Sequence, residues 1–189
     1  REQPGPAIDF KVADVGALPH RNGAFAAVAA QLVLNFVSSP RQALQEMIRV
    51  TQPGGVVAAS VWDFRGGLIF QRMFWDTAAG IDPGAGRTRD RLFSGALALP
   101  DGLLALFEQS GLKDVQRGSL TIRMDYVDFD DYWGPLLGGQ GPVGTYVTGL
   151  DPDTRARIES AVRLAFLSGA PDGPRSLTAT AWAVRGRTP

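Results

Sequence analysis

The 189 residues carry zero formal net charge, with 19 basic against 19 acidic side chains, and 44% are hydrophobic; this is the balance of a globular chain long enough for one real core. No arginine run of the kind that grips phosphate backbones occurs, and no window approaches the ~20 apolar residues of a membrane span, so neither nucleic acid nor a membrane is an expected partner. The absence of cysteine excludes disulfides, thiolate metal sites and a cysteine nucleophile, and a lone histidine, His20, excludes a multi-histidine metal centre.

The chain opens without methionine. Arg1-Glu2-Gln3 reads as the end of a helix cut mid-stride, followed by a turn at Pro4-Gly5-Pro6, and the expectation is a fragment or a processed chain. Ile8 to Val12 is short, apolar and β-prone and ends at Asp14, which predicts a strand. Leu18 to Gly23 is a polar turn in which His20 reads as a solvated loop histidine. Phe25 to Ala30 is apolar at every residue, which predicts a strand buried on both faces of a parallel sheet. Ser39-Pro40 sets up a helix start, and Leu44, Met47 and Ile48 recur at helical spacing. Pro53-Gly54-Gly55 ends that helix and turns the chain into Val56 to Trp62, a valine-rich central strand.

Farther on, Leu68 to Ala79 has helical periodicity, while Ile81 to Arg91, rich in Gly, Pro and Arg, reads as a loop. Leu103 to Ser110 predicts a short amphipathic helix closed by Gly111. Val115 to Met124 predicts a strand and Asp128 to Leu137 a helix, with Asp125, Asp128, Asp130 and Asp131 as capping acids rather than metal ligands. Gly138 to Gly149 reads as a mobile loop. Asp151 caps the best-defined helix, with Pro152 in its first position and Ile158, Val162, Ala165 and Phe166 as its buried stripe. Leu177 to Val184 alternates as a last strand.

Taken in order, the strand with its Ala13-Asp14 end, the Ala17-Leu18-Pro19 turn, the strand, the helix, the Pro-Gly-Gly turn and the next strand resemble class I S-adenosylmethionine-dependent methyltransferases of the ubiquinone/menaquinone-biosynthesis type. The segment "TATAWAVRGR" around Val184 is similar to that family's final strand. The resemblance implies one α/β domain over 1–189, a Rossmann-like, mostly parallel sheet with helices on both faces and an antiparallel final strand, with substrate-cap insertions within 64–149. It implies the strand order 3-2-1-4-5-7-6. The first two strands of the family, with the Gly-x-Gly loop and the ribose-binding acid, are missing from this chain. The strand Phe25–Ala30 is therefore expected to present an unpaired edge. Three outcomes follow from that expectation: completion by polypeptide from elsewhere, re-pairing of the first strand, or a homodimer in which two chains share edges.

Carried over residue by residue, the resemblance places Asp14 at the adenine amino group, the Val15 amide at the adenine ring and Gln31 at the methionine moiety, with Leu32 and Phe36 covering the cofactor. Phe25-Ala26 departs from the family's Phe-Asp pair. Trp62, Tyr132 and Trp133 are the candidate contacts to the methyl acceptor, because pockets of this kind are mostly apolar with few polar groups and Tyr and Trp offer a polar handle. No catalytic side chain is singled out and no metal is implied. The activity implied is methyl transfer from S-adenosylmethionine to a small, partly apolar molecule by a cytoplasmic protein, with weak or absent cofactor binding by this chain alone. The competing reading is a non-catalytic binding or assembly module that uses exposed strand edges. A dehydrogenase is disfavoured by the Pro-Gly-Gly turn and the antiparallel final strand.

Overall fold

A computed structural model of the chain describes residues 8–189; the expected helix end at Arg1–Gln3 and turn at Pro4–Pro6 lie outside them. A four-stranded sheet runs in the order β1 (Phe25–Gln31), β2 (Thr51–Trp62), β4 (Arg175–Arg187), β3 (Lys113–Tyr126). The β1–β2 pair is parallel, and β4 lies antiparallel to both β2 and β3. This order reproduces the 4-5-7-6 half of the expected sheet, including its reversed final strand.

Helix α1 (Pro40–Val50) makes the crossover between the parallel pair. Proline opens it, and Ala43, Leu44, Met47 and Val50 form the buried stripe. It runs directly into β2, which begins at Thr51 rather than after the Pro-Gly-Gly run. The register jumps from Phe25↔Thr51 to Ala27↔Val56, so Pro53-Gly54-Gly55 forms a bulge inside the strand. Only glycine fits there: Gly54 is left-handed at φ 73, and a Cβ on Gly55 would lie 2.7 Å from the Ala26 carbonyl oxygen.

One face of the sheet is covered. Val28, Ala30, Val57, Ala59, Val61 and Val184 point toward α1 and α4 (Gly102–Glu108), where Leu44, Met47, Leu103 and Phe107 complete the core. On the opposite face, Ala29, Ala58, Ser60, Gly118 and Ala183 line an open hollow of about 470 Å³, with Leu120 and Ile122 exposed nearby.

Beyond the far end of the sheet lies a helical layer of α2 (Ile69–Ala79), α3 (Pro83–Ser94), α5 (Phe129–Trp133), α6 (Gly141–Thr148) and α7 (Pro152–Leu167). It has its own aromatic core, in which Phe129 stacks on Trp133 and Tyr132 on Phe166.

Several expectations are corrected. Ile8–Val12 is not a strand. It pairs with nothing among the described residues, and Phe10 and Val12 are 87% and 106% exposed; β-propensity without a neighbouring ladder does not make a strand. Phe25–Ala30 does form a strand, but it is not buried on both faces. Among the described residues it pairs with β2 alone, and most of its residues are exposed. Ile81–Arg91 is not a loop: Asp82 accepts the Ala85 N–H and Pro83 takes the first position, so an N-cap signal overrides two internal glycines. Gly138–Gly149 folds into α6, where Val143 and Val147 bury and Gly144 packs against the Gly139 backbone. Asp128–Leu137 divides into the short α5 and a 3₁₀ turn at Gly134–Gly138, because Pro135 cannot continue the α-helical ladder.

Candidate functional site

The carboxyl end of β1 turns sharply at Leu32. Its φ of 58 is left-handed, a conformation that costs a non-glycine residue on the order of 1 kcal/mol and collects at functional sites. The turn is held by the Leu32 N–H, which donates to the Ser60 carbonyl at 2.9 Å. A 3₁₀ turn follows at Leu34–Phe36. Leu34 is fully buried beneath it, and Asn35 Oδ1 accepts the Trp62 N–H at 2.8 Å, which ties this turn to the end of β2. Phe36 is 51% exposed and meets Phe64 edge to face, with ring centroids 6.1 Å apart. Asp63, at the end of β2, is buried and accepts the Arg65 and Gly66 N–H groups.

The segment carrying Asp14 and Val15 lies along α1. Gln42, in the first turn of α1, donates to the Gly16 carbonyl; Glu46 accepts the Leu18 N–H; Arg49 donates to the carbonyls of Leu18 and His20 and to Asn22 Oδ1. Asp14 therefore sits beside the start of α1, at the same end of the sheet as Gln31 and Leu32. The Glu46 carboxyl is pulled down to about 2, first by its hydrogen bonds to Arg49 and then by the Leu18 N–H.

Asp14 Oδ1 accepts the Gly16 N–H at 2.8 Å, which is a turn cap. Its other carboxylate oxygen, and the Val15 N–H, make no hydrogen bond among the described residues. An open acceptor next to an open donor is the complement of an adenine edge, which offers an amino donor beside a ring-nitrogen acceptor. The chemistry of this pair suits an adenine edge.

Two cavities of about 560 and 470 Å³ flank Phe36 and share Phe36, Arg91 and Leu92 as a common wall. The first also holds Thr88, Thr145 and Tyr146; the second runs over Asn35 and Phe64. The Tyr146 hydroxyl donates to Asp82 Oδ2 at 2.5 Å. That bond holds Asp82 below the usual aspartate range, while burial and then Asp82 push Tyr146 upward, so it stays a neutral hydroxyl.

The structure thus brings Gln31, Leu32, Phe36 and Trp62 together at the carboxyl edge, with Asp14 and Val15 on the adjoining loop. Tyr132 and Trp133 are set apart. They are 2% and 4% exposed in the helical-layer core, the Tyr132 hydroxyl donates to the Phe70 carbonyl, and neither residue lines the two cavities. Asn35, Arg91 and the Tyr146–Asp82 pair were missing from the sequence reading. The Asp82-Pro83 dipeptide was the one available signal, since it starts the helix that carries Arg91; nothing local marks Asn35.

Residues 1–59 match the sequence model of the family described as methyltransferase domain. The fold agrees with solved structures of two proteins described as "putative" methyltransferases. The one from Bacillus halodurans has a TM-score of 0.54 at 12% identity and covers 96% of this chain and 78% of its own. The one from Anaeromyxobacter dehalogenans has a TM-score of 0.51 at 22% identity, with 98% and 74% covered. Among relatives, the demethylmenaquinone methyltransferase of Renibacterium salmoninarum is 48% identical over 50 residues, 26% of this chain and 21% of that protein. An uncharacterized protein of Mycobacterium tuberculosis is 26% identical over 149 residues, 75% of this chain and 53% of that protein. The chain spans about a fifth to about half of the length of the curated relatives it matches. No helix among the described residues is long and apolar enough to cross a membrane.

Proposed function

We propose that the protein containing this chain transfers a methyl group from S-adenosylmethionine to a small, partly apolar acceptor. The observation that carries this reading is the carboxyl edge of the parallel pair, where open α/β sheets bind ligands. There the left-handed Leu32 turn and the Asp14-Val15 donor–acceptor pair stand beside two connected apolar cavities.

In this reading Asp14 and Val15 take the adenine edge, Gln31 and Leu32 approach the methionine part through backbone, and Phe36 covers both. When bound, the cofactor supplies an already activated methyl on its sulfonium. The walls of the two cavities carry neither a carboxylate nor a histidine, so these residues contribute alignment and exclusion of water rather than proton abstraction. Phe36 and Phe64 form the acceptor wall, and Trp62, which lines neither cavity, packs against the cluster that holds Phe64. Tyr132 and Trp133 support the helical layer from behind, as the core of a cap over the acceptor.

The described residues supply one wall of the cofactor cradle, and the 189-residue chain alone binds cofactor weakly or not at all. Titration with S-adenosylhomocysteine, followed by NMR, tests both statements. Shifts at the amides of Val15, Gln31 and Leu32 are expected only at millimolar ligand. Micromolar affinity overturns the weak-binding statement, and silence of those amides at saturating millimolar ligand overturns the cofactor assignment.

A second reading is favoured by one observation, the apolar edge of β1 that is unpaired among the described residues. It makes the chain an assembly module in which two copies share edges. Size-exclusion chromatography with light scattering separates the two; a clean monomer counts against the module.

A further inference from the structure

The larger cavity is more specific than an apolar slot. Its body is formed by Phe36, Leu92 and the Tyr146 ring, and its polar groups are Thr88, Arg91, Thr145 and the Tyr146 hydroxyl. Two of these hydroxyls are already committed: Tyr146 donates to Asp82 and Thr145 to the Gly139 carbonyl. Arg91 is different. In the helical layer Arg72 and Arg89 pair with Asp76, and Arg163 with Asp130 and Asp172; Arg87, Arg155 and Arg157, like Arg91, have no ion pair among the described residues, but of these unpaired arginines it is Arg91 that lines the two cavities. Arg91 makes no ion pair among the described residues, although it lies on α3 one residue from Asp90, because Asp90 is engaged by Arg89. No carboxylate lines either cavity, and Arg91 belongs to the wall that both share.

We infer that this cleft binds an acceptor made of a flat apolar body and an anionic group, with Arg91 as the residue that holds the anion. This rests on the acceptor-site reading above and adds its substrate class. A planar guanidinium favours a carboxylate or similar anion through two parallel hydrogen bonds, and the apolar walls weaken competition from water. Phe36 and Leu92 then take the apolar body. Because Arg91 stands in the last turn of α3, it also suits the negative end of that helix; the test must separate this structural role from ligand binding.

The probes are 2-naphthoate and its uncharged counterpart 2-naphthamide, titrated into the 189-residue chain by calorimetry without cofactor. The readout is independent of methyl transfer, so failure of that activity and failure of this inference remain distinguishable. The expected result is naphthoate binding at least roughly tenfold tighter than naphthamide, the scale of one charge-assisted contact. Arg91→Gln removes that tenfold advantage and leaves naphthamide binding unchanged, whereas Arg91→Lys keeps part of it. Arg185→Gln, which alters the hollow on the open sheet face, leaves both affinities unchanged. Equal binding of the two probes, no binding of naphthoate, loss of binding in Arg185→Gln, or an Arg91→Gln variant that differs only in melting temperature overturns the inference.

Discussion

Replacement of Gly102 by alanine tests how tightly the covered sheet face is built. Gly102 opens α4, the helix that sends Leu103 and Phe107 into the core. By helix propensity alone the substitution should stabilise, by up to about 1 kcal/mol. The structure reverses the sign. A Cβ at position 102 would lie 1.9 Å from the Ala96 carbonyl oxygen and 2.9 Å from its carbon, and both are backbone atoms with no rotamer to change. Relief requires the start of α4 to move by more than 1 Å, which pulls Leu103 and Phe107 out of register. Overpacking of this kind costs about 1–3 kcal/mol, and a backbone obstacle places the net cost near 2–3 kcal/mol. With a urea slope of about 2 kcal/mol/M, the unfolding midpoint should fall by roughly 1 M. Gly86→Ala is the internal control: it lies inside α3, its nearest neighbour is the Ala79 Cβ at 3.8 Å, and a gain of about 0.5–1 kcal/mol is expected. A Gly102→Ala variant as stable as the parent, or more stable, would refute the account of how α4 seats.

Tyr146→Phe should cost about 1 kcal/mol in chemical denaturation by leaving Asp82 without its hydroxyl partner. The Asp82 carboxyl is depressed in the folded state from an ordinary 3.8, so its stabilising contribution is present above that value and fades as pH falls below it; Asp82→Asn should flatten that part of the acid limb. Glu46 behaves in the same direction over a wider window. Its contribution is present above 4.5 and is lost as pH falls toward about 2, and Glu46→Gln should remove this stretch of the stability profile while loosening the Asp14 loop in hydrogen exchange. If two chains do share edges, Ala27→Lys, on the exposed edge strand β1, should return the assembly to monomers in light scattering; an unchanged mass would reject edge sharing.

Much of the fold could be read from local signals. Asp151-Pro152 announced α7, and the structure has Asp151 accepting the Thr154 N–H as expected. The same Asp-Pro grammar at Asp82-Pro83 went unread because Gly84, Gly86 and the arginines gave that stretch a loop-like composition. Gly141-Pro142 was obscured in the same way. Ile8–Val12 failed for the opposite reason: its residues have strand propensity, but a strand exists only through its neighbours, and none of the described residues supplies one. Tyr132 and Trp133 show a limit of residue type, since a side chain with one wet and one dry end suits a pocket wall and a core equally well. Only the packing around Phe166 and the Phe70 carbonyl distinguishes the two. Arg91 was invisible because its interest lies in the partner it lacks.

Helix α1 has a consequence that reaches past its role as a crossover. The loop bearing Asp14 hangs from Gln42, Glu46 and Arg49 on its outer side, while Leu34, just below the Leu32 turn, packs into the cluster formed by its inner side. The two contact points proposed above are bolted to one rod. They cannot be tuned separately by tilting that rod, and a change deep in its seat, at Leu44 or Met47, would displace both together. On the proposed reading, ligand affinity is thus inherited from core packing, and natural variation under α1 would retune binding without touching a single contacting residue.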